Sequence, residues 1–353
     1  MSQSAYSNLK AAWHLDRIED LRAGRRTNPV ELQLILSDYC NHDCHFCAYR
    51  ASNGLSTERF VEGDNHNPKR MLTKEKALEI LDDAAEAGIK SVIFTGGGEP
   101  TAHPNHLEIF DYALKLGLEC SLNTNGVVFK KGWENILPRF TYIRFSIDAS
   151  GPEEYAEVRN CPATHYAKMM GNLQSLVETV YLEGTACVVG TGYVVTPFNY
   201  MNVREGVERI KATGASYVRL AAMQSTDEKD AYEGKWDLAR EAALSVQEHA
   251  CEGFDVYDLM DGVIGERPDY QFCGFQHFVL YIGANLECYR CCYTAYTDHG
   301  LVGSLKDQRL SEYLKTRDLS DFDARSCAVC PLNDKNRVID YMTKRKPLHV
   351  NFV

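Results

Sequence analysis

Three of the chain's thirteen cysteines fall within eight residues, in Cys40-Asn41-His42-Asp43-Cys44-His45-Phe46-Cys47. A structural zinc ion takes four protein ligands, so three thiols alone leave it one short. The same three can hold three irons of a [4Fe–4S] cluster and leave the fourth iron open. His42 and His45 offer nitrogen ligands, which keeps zinc as the competing reading. Farther along, Cys273 is followed by nine residues, Gly283, four residues and Cys288, and Cys327-Ala328-Val329-Cys330 completes the set. Two distant cysteine pairs also suit a zinc ribbon. Cys291 and Cys292 are left over and could replace an assigned ligand, while Cys120, Cys187 and Cys251 read as small core residues.

A glycine-rich turn, Gly96-Gly97-Gly98-Glu99-Pro100, follows the run Ser91–Thr95 and lets backbone approach a ligand closely. Ser121-Leu122-Asn123-Thr124-Asn125-Gly126 and Arg144-Phe145-Ser146-Ile147-Asp148 end two further runs. Their polar residues serve as well for caps and turns as for ligand contacts.

These motifs need strands to carry them. β-Branched runs predict strands at Glu31–Leu36, Ser91–Thr95, Glu119–Asn123, Tyr142–Ile147, Ala186–Val195 and Tyr217–Ala221. Helical periodicity predicts helices at Thr73–Ala87, His106–Leu116, Glu153–Arg159, Tyr166–Leu182, Asn202–Ala212 and Trp236–Ala250. Alternation of this kind makes a parallel sheet with covering helices, doubly wound or a partial barrel, with chemistry at the C-terminal strand ends. The 20-residue polar stretch Ala51–Arg70 is long for a connection and predicts a lid or substrate loop.

With CxxxCxΦC after the first strand and the Gly-Gly-Glu turn after the second, the chain resembles the radical S-adenosylmethionine (SAM) enzymes. The resemblance implies a partial (β/α)6 TIM barrel over residues 31–225, with Cys40, Cys44 and Cys47 on the cluster and SAM on its open iron. It places Phe46 near the adenine, and Gly97, Gly98 and Glu99 at the methionine ammonium. Asn123, Ser146 and Arg159 become candidates for the ribose and carboxylate. The later cysteines resemble the opening of SPASM and twitch extensions. This implies a small twitch-like domain over 263–335, with a second [4Fe–4S] cluster on Cys273, Cys288, Cys327 and Cys330. An N-terminal extension (1–30), an acidic helical linker (226–262) and a basic tail (336–353) complete the expected organisation. By analogy with related epimerases, Cys291 and Cys292 are the catalytic candidates, as hydrogen-atom donors.

The implied reaction is reductive cleavage of SAM to a 5′-deoxyadenosyl radical and hydrogen abstraction from carbon of an amino-acid-bearing substrate, with rearrangement, epimerisation or oxidation to follow. Small molecules, peptides and modified nucleotides all qualify, with flavodoxin or ferredoxin as electron donor. The opening segment from Tyr6 is similar to radical enzymes that rearrange an amino acid attached to a thymine-like base. A dehydrogenase of a carbohydrate-like alcohol and a non-catalytic zinc or cluster protein are compatible with the same motifs. The final Val350-Asn351-Phe352-Val353, in place of Gly-Gly, disfavours the cyclase of molybdenum-cofactor synthesis, and the 39 residues before Cys40 leave no space for a large leader-binding domain.

Composition bounds these readings. With 353 residues, 44% hydrophobic and 25% charged, the chain exceeds a peptide-sized module and suffices for a catalytic domain with an accessory one. Its apolar runs fall far below the roughly 20 residues of a bilayer span, and Met1–Tyr6 shows no secretory pattern, so a cytoplasmic protein with reduced thiols and no membrane partner is expected. The net charge of −11 is concentrated in Asp227–Asp269, which carries −9, whereas the segment from Pro331 carries +3. Such runs are ordinarily solvated faces. The basic strip Lys344-Arg345-Lys346 can meet a phosphate, but the overall sign argues against broad affinity for duplex nucleic acid.

Overall fold

The computed structural model describes residues 6–51, 54–224, 230–263 and 266–344; most of the basic strip lies outside them. The first part of the chain runs α1 (Leu15–Arg22), β1 (Glu31–Ile35), α2 (Lys74–Glu86), β2 (Ser91–Thr95), α3 (His106–Lys115), β3 (Glu119–Thr124) and β4 (Tyr142–Ser146). It continues through α4 (Pro152–Arg159), α5 (Thr164–Glu183), β5 (Val188–Val195), α6 (Val203–Lys211), β6 (Tyr217–Ala222), α7 (Trp236–Ser245), β7 (Asp255–Leu259) and α8 (Met260–Val263). The last part holds α9 (Phe275–Phe278), β8 (Val279–Ile282), β9 (Glu287–Tyr289), β10 (Leu301–Ser304), α10 (Leu310–Thr316) and α11 (Asn333–Thr343).

All ten strands form one sheet in the order β10-β9-β8-β1-β2-β3-β4-β5-β6-β7. From β8 to β7 every pairing is parallel, and β9 and β10 add antiparallel. This is a mixed α/β fold consistent with a partial barrel and a C-terminal extension. The six predicted strands are present within two residues of their expected limits. Two more parallel strands flank them. β7, inside the expected acidic linker, pairs Tyr217↔Asp255 and Leu220↔Asp258 with β6. Asp255 and Asp258 hid it, yet such charges are usual on an edge strand, where they discourage further pairing.

Alternation along the strands separates two faces. Leu32, Leu34, Val92, Phe94, Leu122, Ile143, Phe145, Val218 and Leu220 are fully covered and pack on Ile80, Leu81, Ile109, Phe110, Leu173, Val207 and Ile210 of the helices. α2 starts where Thr73 accepts a hydrogen bond from the Lys76 amide, an N-cap. The other strand face is concave and bears polar residues such as Gln33, Thr95, Asn123, Arg144 and Arg219.

A second, smaller core joins the C-terminal strands to β1. It contains Ile35, Phe60, Tyr281, Ala284, Tyr289, Ala295 and Tyr296. Phe60 belongs to the stretch expected as a lid or substrate loop, and its side chain is packed into this core, so that part of the stretch is a strap over the sheet. Arg70 pairs with buried Asp38 at 2.8 Å, and Arg59 makes a bidentate contact to Glu287 at 2.9 and 2.7 Å. No helix among the described residues is long and apolar enough to cross a membrane.

Glu287 shows how firmly the strap is tied. Burial alone would raise its pKa, but hydrogen bonds from Arg59 and Tyr289 outweigh burial and hold the carboxyl at about 2. Because an unfolded Glu titrates near 4.3, this contribution is complete above that pH and is lost as pH falls toward 2. Glu287→Gln should cost about 1–3 kcal/mol at pH 7. Urea midpoints of the cluster-free chain should also fall less steeply with acid between roughly pH 4.5 and 2 than those of wild type.

Candidate active site

A cavity of about 280 Å³ opens at the C-terminal ends of the strands. β1 feeds the Cys40–Cys47 loop into it, β2 the glycine turn, β3 Asn123–Asn125, β4 Ser146, and β6 Arg219 and Ala221. Every candidate of the first cluster and cofactor set lines this one cavity: Cys40, Cys44, Phe46, Cys47, Gly97, Gly98, Glu99, Asn123, Ser146 and Arg159.

Arg50 holds the cysteine loop from beneath. It donates to the His42 carbonyl at 2.6 Å, the Asp38 carbonyl at 3.2 Å and Asn67 Oδ1 at 2.9 Å, while Asn67 brackets the Cys40 backbone. Burial pushes the Cys40 thiol up to about 11 and raises Cys44 and Cys47 as well. Such thiols ionise only against a strong positive charge, as a metal centre supplies.

The spread of the thiols bears on which centre fits. Four sulfurs on one zinc ion at about 2.3 Å lie roughly 3.8 Å apart. Among the described residues, the one trio of metal-binding atoms lying within 4.8 Å of one another is His42, Cys161 and His165. Cys40, Cys44 and Cys47 do not all lie within that distance of one another, so they are not gathered around a single ion. The histidine trio is occupied otherwise. Arg159, which can only donate, faces His42 Nδ1 at 3.4 Å, so His42 Nε2 carries the proton given to His165 Nδ1 at 3.0 Å. Burial depresses the His42 pKa to about 2, so the ring stays neutral. Neither His42 nor the exposed His45 completes a tetrahedral site with the three thiols.

The glycine turn is shaped by close approach. A Cβ on Gly98 would lie 2.2 Å from the Tyr39 carbonyl oxygen, and one on Gly97 would lie 2.4 Å from Phe60. Glu99 is 3% exposed, and its carboxylate accepts from the Thr101 amide (3.0 Å) and hydroxyl (2.7 Å), the Thr124 hydroxyl (2.6 Å) and the Asn125 amide (2.8 Å). Oε1 takes three of these and Oε2 one, so Glu99 mainly ties β2 to β3 and keeps room on Oε2 for one further donor. Asn123 gives its amide to Thr95 at 3.2 Å, while its Oδ1 is buried with no partner, an acceptor that suits a hydroxyl. Arg159 pairs with Asp148, whose φ of +56° is rare for a non-glycine residue. It also donates to Ile147 O and faces His42, which leaves one hydrogen on each terminal nitrogen for a ligand.

The later cysteines assemble differently from their expected pairing. The Cys273 thiol has Cys291, Cys330 and Cys327 as its charged neighbours, and Cys327 has Cys291 and Cys330. Cys291, Cys273, Cys327 and Cys330 therefore form the group of four. Cys288, expected among them, lies on β9 with its side chain in the helix-facing core, fully covered, beside Arg317 and Tyr313. Alternation along β9 turns it away from the other thiols. Tyr270 and Asn336 lie 3.8 Å from the Cys330 sulfur, His299 lies 3.3 Å from Cys327, and Thr294 lies 3.4 Å from Cys291. Such contacts tune a cluster's potential. Cys292 stands apart, near Tyr49, Glu31 and Lys335, with burial raising its pKa to about 12.

Comparison with known proteins agrees with this geometry. Residues 34–197 match the family described as the Radical SAM superfamily. Over those residues the chain is similar to the radical SAM domain, for which SAM and a [4Fe–4S] cluster are the expected cofactors. The S-adenosylmethionine-dependent nucleotide dehydratase of Flammeovirga pacifica is 31% identical over 164 residues, 45% of this chain and 51% of that protein. A GTP 3′,8-cyclase of Desulforamulus reducens is 25% identical over 131 residues, 36% of this chain and 37% of its own. The chain spans about half the length of the nucleotide dehydratases it matches. Among solved structures, Streptococcus suis SuiB bound to its precursor peptide SuiA superposes with a TM-score of 0.63 at 16% identity, over 95% of this chain and 77% of SuiB. The anSMEcpe enzyme with bound AdoMet gives 0.57 at 16% identity, over 85% and 80%. At that identity the likeness is one of fold.

Gly98→Ala should destabilise the chain by about 2 kcal/mol or more, because the new methyl meets backbone instead of a movable side chain. Thermal unfolding and calorimetric titration with SAM check this. A folded, SAM-binding Gly98→Ala protein would contradict the close approach described here.

Proposed function

We propose that the chain is a radical SAM enzyme that abstracts hydrogen from carbon of an amino-acid-bearing substrate. The observation that carries this reading is the convergence of Cys40, Cys44, Cys47, the Gly97-Gly98-Glu99 turn, Asn123 and Arg159 on one cavity. A reduced [4Fe–4S] cluster would supply the electron that divides SAM into methionine and a 5′-deoxyadenosyl radical. The three cysteines would hold its irons, Phe46 would border the adenine, and Gly97 and Gly98 would let backbone reach the methionine ammonium. Asn123 Oδ1 answers a ribose hydroxyl, and Ser146 and Arg159 answer the carboxylate.

The strand face that carries Arg144 and Arg219 favours a substrate bearing an anionic group. The four-thiol group favours a second reading, oxidation with electron export, in which Cys273, Cys291, Cys327 and Cys330 hold an auxiliary cluster. Cys292, outside that group, is the thiol available as a hydrogen-atom donor.

Anaerobic reconstitution, reduction and assay for 5′-deoxyadenosine test the core of the proposal, which predicts loss of cleavage in Cys44→Ala. Iron content should be near eight per wild-type chain and near four in Cys291→Ala, while Cys288→Ala keeps all eight. Zinc in place of iron, with SAM left intact, would refute the proposal.

A further inference from the structure

The barrel interior itself carries information about the substrate. Parallel barrels ordinarily fill this space with layers of branched apolar side chains, whereas here Glu31, Gln33, Tyr142, Arg144, Tyr217 and Arg219 occupy the concave face. Arg144 on β4 and Arg219 on β6 flank β5, whose residues at the same levels are Gly190 and Gly192. Arg144 runs alongside Gly192, whose position would bring a Cβ to 3.5 Å from Arg144 Cδ, an ordinary contact distance.

Among the described residues neither the Arg144 nor the Arg219 guanidinium forms an ion pair. The groups that act on Arg144 are the hydroxyls of Tyr6, Tyr142 and Tyr217, and those on Arg219 are Arg144 itself, Tyr293, Tyr6 and Tyr217. Glu31 accepts from Gln33 at 2.7 Å and is balanced by Lys335 and Lys10. Arg219 Nε is buried without a hydrogen-bond partner, and Arg219 lines the cavity beside Ser146, Val194 and Ala221. Two cations facing one another out of bulk water are costly unless an anion joins them.

We propose that Arg219 and Arg144 bind a phosphate monoester on the substrate of the radical reaction, deepening the reading given under Proposed function and resting on it. Charge selects phosphate over carboxylate. A phosphate monoester carries about −1.5 to −2 near pH 7, matching two guanidiniums, where a carboxylate offers one charge, and planar donor forks suit its oxygens. The cofactor's own carboxylate has another arginine to meet it, Arg159, which acts on Cys44. Arg219 instead neighbours Tyr293, in the loop of the second thiol group.

Titration of inorganic phosphate into the cluster-reconstituted enzyme, followed by calorimetry and thermal unfolding, tests this. Wild type should bind phosphate and gain melting temperature, and Arg219→Gln should bind at least tenfold more weakly. Arg219→Lys, which keeps the charge without the fork, should fall between them. Without phosphate, Arg219→Gln should melt above wild type, because an unanswered charge has been removed. No binding by wild type, or equal binding by wild type and Arg219→Gln, would overturn the site. Tighter binding of acetate than of phosphate would overturn the phosphate assignment, and displacement of phosphate by SAM would transfer the arginines to the cofactor. Release of 5′-deoxyadenosine by the same wild-type preparation is read separately. Phosphate binding without it would sink the radical reading and leave the anion site standing.

Discussion

β1 is hydrogen-bonded on both sides, to β2 through Glu31↔Ser91 and Ile35↔Thr95 and to β8 through Glu31↔Val279 and Leu34↔Ile282. That double pairing places the two thiol groups on one sheet. The Cys40–Cys47 loop leaves the C-terminal end of β1, whereas β9 runs antiparallel to β8 and delivers the loop holding Cys291 and Cys292 toward the level of Glu31, at the N-terminal end of β1. The pairing of β1, β8 and β9 therefore sets where Cys291 stands relative to the first thiol loop. Helix packing then covers the convex side and leaves the concave side hollow.

Buried polar groups secure the junction. Asp38, just past β1, accepts from Arg70 and Tyr296, and its carboxyl, which burial drives upward, sits near 6. Tyr296 accepts from the Ala284 amide, and Tyr49 in the cysteine loop meets Tyr281 of β8 at 3.0 Å. The Tyr296–Asp38 and Tyr49–Tyr281 bonds join the start of the first thiol loop to the C-terminal part of the chain, and Arg70 and Ala284 complete the network, so solvation of one group would leave another unsatisfied. The junction is therefore rigid, which suits residues that must hold a reactive carbon in place.

Local patterns were readable in the sequence. Cys40, Cys44 and Cys47 lie within one loop, so their spacing alone stated what they can bind, and the glycine turn followed a plain β-branched run. The face of a residue on a short strand was not readable. Gly283 and Cys288 have the expected spacing, yet Cys288 points into the helix-facing core, and Cys291, three residues on and past the strand end, joins the thiols. β7 was concealed by its aspartates. Arg144 and Arg219 were not singled out as a pair, because only the tertiary fold brings them to one face of the sheet on either side of β5.

The central claim is that the two thiol groups bind different kinds of iron site, one with an iron open to SAM and one fully ligated. Mössbauer spectroscopy of protein reconstituted with 57Fe, recorded before and after addition of SAM, addresses it directly. The account predicts two [4Fe–4S] clusters, with about one iron in eight changing its signal on SAM addition, and with that response surviving Cys291→Ala but lost in Cys44→Ala. Spectra that SAM leaves unchanged, or a response lost with Cys291 and retained without Cys44, would contradict it.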